Sequence, residues 1–199
     1  MAEAGRVVAG TAGGIRLLAP GPGTRPLADR VKQAVFGALE PDLAGAAVLD
    51  LFAGSGAAGI EALSRGAARA VLVERDPGAV RVIGENLVRT HLAGRARVLR
   101  REVLRYLAVG PDPSDPLGAW PFDLVIVDPP YVERALREDV LARLGIGDDS
   151  MPAVVRPGGR VVVTHFWKEP PPPRVGLLAS ERTRRFGETA VAFYRREDA

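Results

Sequence analysis

The feature that most constrains this sequence is the alternation of short apolar runs with helical stretches between Ala46 and Tyr194. This alternation is typical of a mostly parallel sheet covered by helices on both faces. The predicted strands are Ala47–Phe52, Ala70–Glu74, Ala96–Leu99, Asp123–Val127, Arg160–Phe166, Val175–Ala179 and Thr189–Tyr194. The predicted helices are Ala57–Arg65, Pro77–Leu92, Val103–Val109 and Glu133–Leu144. We therefore expect residues 46–199 to form one α/β domain.

The first 45 residues have a different pattern, and we expect residues 1–45 to form a small extension packed on the α/β domain. A turn-like segment at Thr11–Gly14 separates Arg6–Gly10 from Ile15–Leu18, which predicts a β-hairpin. Apolar residues at helical spacing predict an amphipathic helix over 28–39.

Composition excludes several kinds of chemistry. The chain has 199 residues, 47% of them hydrophobic, which suffices for one full core. It has no Cys and two His, which excludes disulfides and cysteine nucleophiles and argues against a metal centre. No apolar run approaches the roughly 20 residues of a membrane span, and the first residues lack a secretion signal. We therefore expect metal-free chemistry in a cytoplasmic protein without membrane contacts.

Positive charge is concentrated at the two ends of the chain, although the net charge is only +3. The first 32 residues hold five cations, and residues 174–196 hold six Arg. Such clusters favour an anionic partner. Solvated helix faces or intramolecular ion pairs are the alternative interpretation.

A glycine turn follows the first strand of the α/β domain, over Asp50–Gly56. The spacing of Gly54, Gly56 and Gly59 also fits a dinucleotide-binding turn, so an NAD-dependent oxidoreductase is a candidate. Asp50 favours S-adenosylmethionine instead, because a carboxylate suits the cationic methionine ammonium and would repel a pyrophosphate. The candidate cofactor-binding residues of this turn are Asp50, Phe52, Ala53, Gly54, Ser55 and Gly56, with Ala53 and Gly54 offering backbone contacts.

Acidic residues also follow the next two predicted strands. Glu74 ends the second strand and is suited to accept hydrogen bonds from both ribose hydroxyls, with Arg75 beside it. Asp76 is interpreted as a helix N-cap before Pro77. Glu102, with Val103, follows the third strand and is a candidate for the adenine amino group, although a plain acid at a helix start explains it nearly as well.

The segment from Phe122 to Tyr131 carries the catalytic prediction. An apolar strand delivers Asp128 to the carboxyl edge of the sheet, and Pro129 and Pro130 then impose a rigid backbone. Asp128 and the Pro129 carbonyl are predicted to accept hydrogen bonds from a nucleobase amino group and aim its lone pair at a methyl donor. Tyr131 is predicted to stack on the base. A strand followed by an ordinary Pro-Pro turn, with Tyr131 half-buried, is the alternative.

With these motifs, the chain resembles the bacterial 16S rRNA (guanine(966)-N(2))-methyltransferase family. The resemblance also covers Arg6–Gly10 with Arg16, Thr24–Lys32 leading into Phe36, Leu51–Gly66, and Arg185–Thr189. It implies a Rossmann-like class I methyltransferase fold, with a seven-stranded sheet of six parallel strands and an antiparallel last one. It further implies S-adenosylmethionine as cofactor, and as substrate N2 of one guanine in 16S rRNA, on an assembled or assembling 30S subunit. We expect the protein to act as a monomer.

RNA contacts are predicted at Arg6, Arg16, Arg25, Arg30, Lys32 and Arg185. Two positions depart from the family pattern. Glu102 stands where Asp is more common, and Thr164-His165-Phe166-Trp167 stands where an acid usually closes the fifth strand. His165 is interpreted as structural.

Two further functions stay open besides the oxidoreductase. The segment Asp128-Pro129-Pro130-Tyr131, called the tetrad below, also serves adenine-N6 DNA methyltransferases, but we expect no target-recognition domain in a chain of 199 residues. An RNA-binding assembly factor without turnover is the other, and the intact acids Asp50, Glu74 and Asp128 argue against it.

Overall fold

The computed structural model describes residues 3–21, 29–147 and 152–198, and all structural statements below refer to these. The strands are β1 (Glu3–Arg6), β2 (Arg16–Leu18), β3 (Ala47–Leu51), β4 (Arg69–Glu74), β5 (Ala96–Arg100), β6 (Phe122–Val127), β7 (Val155–Phe166), β8 (Arg174–Val175), β9 (Leu178–Phe186) and β10 (Thr189–Arg196). The helices are α1 (Asp29–Leu43), α2 (Ala57–Ser64), α3 (Pro77–Arg89), α4 (Val103–Val109) and α5 (Arg134–Leu144).

The main sheet has the strand order β5-β4-β3-β6-β7-β10-β9-β8. Strands β5, β4, β3, β6 and β7 are parallel, and β10 is antiparallel to both β7 and β9. Strand β9 therefore runs in the same direction as β3, β4, β5, β6 and β7. These six strands are parallel, and β10, the last strand in the chain, is antiparallel to them. The predicted mostly parallel Rossmann-like sheet is confirmed, with the two-residue β8 as an eighth strand that was not predicted.

Alternate residues of the central strands face two separate cores. On one side, Val48 and Leu72 pack with α1, α2 and α3. On the other side, Leu49 and Val71 pack with α4 and α5. Because both faces are covered, the central strands are mostly apolar and lack the polar alternation of exposed sheets, with Asp50 of β3 as a buried exception.

The order of the strands creates a crevice at the carboxyl edge of the sheet. Strands β3 and β6 are neighbours, and the chain continues outward from β3 to β4 and β5 but from β6 to β7. Open α/β sheets bind their ligands where the strand order reverses in this way. The glycine turn after β3, Glu74 at the end of β4 and Asp128 after β6 all lie at this edge.

The N-terminal segment packs against α2 through buried hydrogen bonds. The Glu61 carboxylate accepts the amides of Val8 and Ala9 at 2.7 and 3.1 Å, and the Arg65 guanidinium balances its charge at 2.7 Å. On α3, the buried Asn86 side chain donates to the carbonyls of Leu18 and Ser55. The hairpin is thereby connected to the glycine turn.

Four sequence predictions were wrong in their boundaries. Strand β1 covers Glu3–Arg6 rather than 6–10, and β7 begins at Val155 rather than at residue 160. The predicted strand over 175–179 is interrupted by a turn at Gly176, whose φ of +55° favours glycine, and the long strand β9 begins only at Leu178. Helix α1 ends at Leu43 rather than residue 39, and Pro41 lies inside it. It continues past the proline because Leu43 is buried in the same core as Leu39. The predicted first residue of this helix, Ala28, lies outside the described residues. None of the described helices is long and apolar enough to cross a membrane.

Candidate active site at the carboxyl edge of the sheet

The glycine turn after β3 is held in a tight conformation with positive φ values. They are 66° at Phe52, 56° at Gly54 and 78° at Gly56. A Cβ at Gly54 would meet nothing closer than 4.0 Å, whereas one at Gly59 would lie 2.9 Å from the Leu72 side chain. The turn is therefore open above Gly54, where a ligand can approach the backbone, and closed beneath Gly59, where the helix packs on the sheet.

Asp50 lies beneath this turn and is 1% exposed. Its Oδ2 accepts a hydrogen bond from the Gly59 amide at 2.8 Å, which fixes the start of α2. Burial raises the pKa of Asp50 to about 7, and the nearby charges of Asp128 and Glu74 add to this rise against the opposing Gly59 hydrogen bond. The repulsion of a charged Asp50 by these two carboxylates favours a cationic ligand beside it.

Glu74 is already engaged with the backbone around it. Its Oε2 accepts from the Gly54 amide and its Oε1 from the Asp76 amide, both at 2.8 Å. The Asp76 side chain accepts from the Ala79 amide at 2.7 Å and caps α3, as predicted. Because each carboxylate oxygen can accept more than one hydrogen bond, Glu74 retains capacity for hydroxyl donors.

Arg75 and Glu102 lie on the rim of a cleft of about 520 Å³. Arg75 bridges Glu102 at 3.8 Å and Glu133 at 3.2 Å, so it joins the start of α4 to the start of α5. Glu102 precedes α4 but its side chain makes no capping hydrogen bond, while Val103 is buried in the core. The exposed Glu102 carboxylate therefore faces the cleft region rather than its own helix.

Asp128 follows β6 and is half-buried. Its Oδ1 accepts a hydrogen bond from the Thr164 hydroxyl of β7. Burial raises the pKa of Asp128 to about 6, and the Thr164 hydrogen bond counteracts part of this rise. At neutral pH the group is therefore mostly ionised, so both of its oxygens act as acceptors.

The two prolines after Asp128 differ in the use of their carbonyls. The Pro130 carbonyl accepts the Glu133 amide at 2.9 Å, which starts α5. Among the described residues, no donor engages the Pro129 carbonyl. An acceptor is thus available beside Asp128.

Tyr131 is 36% exposed, and its hydroxyl forms a 2.6 Å hydrogen bond with Thr189 at the start of β10. The ring is thereby held at both ends, by the rigid Pro-Pro backbone and by the hydroxyl. Such an aromatic suits stacking because little side-chain freedom remains to be lost.

Sequence reasoning missed the roles of Thr164 and Thr189. The register pairs Val127 with Val163, so the next residues along the two strands, Asp128 and Thr164, lie level. Aligning the two apolar strands would have found this pair. No local signal identifies Thr189, because its contact depends on the antiparallel insertion of β10.

His165, the other part of the departure from the family pattern, is buried. Its Nδ1 lies 2.8 Å from the Phe166 carbonyl, and burial lowers its pKa. His165 lines a small pocket together with Pro129, Pro130 and the buried Arg137.

The predicted RNA-contacting residues are placed very differently. Lys32 is fully buried. Its ammonium donates a hydrogen bond to the Arg6 carbonyl and forms an ion pair with Asp29 at 3.1 Å, so it is unable to contact RNA in this structure. Arg6 pairs with Asp29 at 3.5 Å and Arg16 with Glu3 at 2.8 Å, both on the surface. Other predicted contacts, Arg30 and Arg185, are exposed, and Arg25 lies outside the described residues.

Comparison with known proteins gives consistent matches over the whole chain. A family model described as "Conserved hypothetical protein 95" matches residues 5–195. The Bacillus subtilis protein named "Putative rRNA methyltransferase YlbH" is 35% identical over 96% of this chain and 98% of its own length. Escherichia coli "Ribosomal RNA small subunit methyltransferase D" is 40% identical over 68% of this chain and 64% of its own length, just under two thirds of that protein. A solved Escherichia coli structure described as "Putative methyltransferase yhhF" aligns over 98% of both chains with 33% identity and a TM-score of 0.79.

Proposed function

Because this chain belongs to the family described as conserved hypothetical protein 95, and its relatives carry rRNA methyltransferase names, we propose that it is an S-adenosylmethionine-dependent rRNA methyltransferase. Its substrate is the exocyclic N2 of one guanine in 16S rRNA, presented by the 30S subunit or a late assembly intermediate. The small-subunit name of the Escherichia coli relative supports this choice of RNA.

One observation carries the proposal: Asp128 is held by Thr164 beside the Pro129 carbonyl, which no donor of the described residues engages, at the same edge as the glycine turn. A guanine amino group is a weak nucleophile because its lone pair is delocalised into the ring. The two acceptors bind its hydrogens and orient the lone pair. A bound methyl donor would supply the methyl group to this nitrogen and keep the electrons of its carbon–sulfur bond, and the nitrogen would lose a proton to water. Asp128 stabilises the positive charge that develops on this nitrogen.

The residues around the turn fit the methyl donor. The space above Gly54 is open to a ligand, and the carboxyl groups of Asp50, Glu74 and Asp128 favour a cation. We assign Asp50 to the methionine ammonium, Glu74 to the ribose hydroxyls and Glu102 to the adenine amino group. The donor supplies an electrophilic methyl group, and every other contribution comes from residues of this chain.

The N-terminal extension over 1–45 is assigned to RNA binding. Arg6, Arg16 and Arg30 are exposed on it, whereas the buried Lys32 helps to hold the extension together. Each of the two ion-paired Arg keeps donors for phosphate, because a guanidinium has five N–H groups. The protein is assigned as a monomer.

Methyl transfer from labelled donor to naked 16S rRNA, free 30S subunits and DNA tests the proposal. We expect label in ribosomal RNA and none in DNA, and the variant Asp128→Ala, which lacks the acceptor, should abolish labelling. Label in DNA alone would overturn the choice of RNA as substrate and favour the adenine-N6 DNA enzyme, since the same tetrad serves both reactions.

A further inference from the structure

An indole and a guanidinium are stacked beside the candidate active site. Trp167 follows directly after β7 and is half-buried. The Arg185 guanidinium carbon lies 3.6 Å from the centroid of the Trp167 ring, and the Lys168 ammonium lies 5.4 Å from it. The Arg185 Nε donates to the Gly187 carbonyl at 2.8 Å, which restrains the guanidinium in this position.

This pair is connected to the tetrad through the start of β10. The Thr189 hydroxyl bonds the Tyr131 hydroxyl, and Thr189 is paired with Phe166 in the sheet. The next residue, Trp167, donates its amide to the Glu188 carbonyl at 3.0 Å. The Trp167–Arg185 pair therefore lies next to Tyr131 along the same edge of the sheet.

The charges on this part of the sheet are distributed unevenly. Away from the carboxyl edge, Glu181 pairs with Arg160 at 3.1 Å and with Arg195 at 2.7 Å. At the carboxyl edge, no carboxylate of the described residues lies within 4 Å of the Lys168 or Arg185 side-chain nitrogens. The positive charge beside the tetrad is thus left for an external anion.

We propose that Trp167 and Arg185 form a second stacking platform, which binds the unpaired nucleobase next to the one on Tyr131. This rests on the proposed function and extends it. Unpaired RNA bases stack on aromatic rings and on guanidinium planes, and every base offers such a face. A base that stacks here would keep the neighbouring base, on Tyr131, displaced from the RNA helix. The side chains of Lys168 and Arg185 would neutralise the phosphate between these two nucleotides.

Tryptophan fluorescence tests the platform directly, because the chain has two Trp residues. The other, Trp120, donates to the Tyr106 hydroxyl at 2.8 Å beside the core that contains α4 and α5, so Trp120→Phe leaves Trp167 as the sole reporter. We expect saturable quenching by single-stranded oligoribonucleotides, and much weaker quenching by an abasic oligonucleotide or by polyphosphate. Equal quenching by polyphosphate would show a phosphate site and overturn the platform.

Kinetics with otherwise native protein provide the second readout. Arg185→Lys keeps the charge but removes the planar group, and we expect it to raise the KM for the RNA substrate about tenfold, as for the loss of one stacked base. Its affinity for S-adenosylmethionine and its kcat should stay unchanged. Arg89→Lys, at an exposed position of α3, is the matched control. A KM for Arg185→Lys equal to that of this control would refute the inference.

These results separate the two proposals. Wild-type protein that transfers no methyl group to RNA, but shows base-dependent quenching, would remove the proposed function and support the platform. If the wild-type protein is active but shows no base-dependent quenching, and Arg185→Lys does not raise the KM, the proposed function would stand and the platform would be refuted.

Discussion

Removal of the Thr164 hydroxyl tests how the protein keeps Asp128 ionised. Thr164→Val preserves the size of the side chain but removes the donor to Asp128 Oδ1. A hydrogen bond to a charged group contributes about 1.5–3 kcal/mol. Because Asp128 is half-buried and water replaces part of the loss, we take the lower bound, which corresponds to about one pKa unit.

The pKa of Asp128 should therefore rise from about 6 by about one unit, and its ionised fraction at pH 7 should fall from about nine tenths to about one half. The assay is single-turnover methyl transfer to 30S subunits from about pH 5 to about pH 8.5. The wild-type rate should decline below about pH 6, and the acid limb of the variant should lie about one pH unit higher. Thr164→Ser, which retains the hydroxyl, should restore the wild-type profile. An unshifted acid limb in Thr164→Val would refute the reasoning.

Three further substitutions follow from the same contacts. Asp128→Ala should abolish methyl transfer but retain S-adenosylmethionine affinity by calorimetry, and a parallel loss of affinity would contradict its assignment to the nucleobase. Asp50→Asn should raise the free energy of unfolding at pH 8 by at most about 4 kcal/mol, since the raised pKa makes the buried charge destabilising above about pH 7. This gain should shrink as pH falls towards 5, because Asp50 of the folded wild-type protein is then protonated. A constant gain across this pH range would contradict the raised pKa of Asp50. The substitution should also lower the affinity for S-adenosylmethionine. Glu61→Ala should cost about 3–5 kcal/mol by denaturant unfolding, because it leaves the buried Arg65 charge and two backbone amides unpaired, and a cost under about 1 kcal/mol would contradict this.

The strands buried on both faces were predicted closely from sequence, and so were the partly exposed strand β5 and helix α4. Strands β3, β4 and β6 begin and end within one residue of their predictions, because a continuous apolar run identifies a doubly covered strand without further information. Strand β9 was mislocated because it is exposed and rich in Arg. It is stabilised by pairing with β10 and by Arg182 over the Phe193 ring at 4.7 Å, and neither contact is local in sequence.

In the candidate site too, some features were predictable from sequence and others were not. The positions of Asp50, Glu74 and Asp128 at one edge follow from parallel strand ends, which the sequence indicates directly. The partners that set their properties come from elsewhere in the chain, as Thr164 does for Asp128. Lys32 was expected at the surface because Lys usually is, but the folded N-terminal segment encloses it.

The most direct test of the proposed function is the identity of the methylated base. Nucleoside mass spectrometry and base mapping of 30S subunits, after reaction with wild-type protein and with Asp128→Ala, would supply it. We predict N2-methylguanosine at one position of 16S rRNA with the wild type and none with the variant. Methylated adenine as the product, or equal product from Asp128→Ala, would contradict the proposed function.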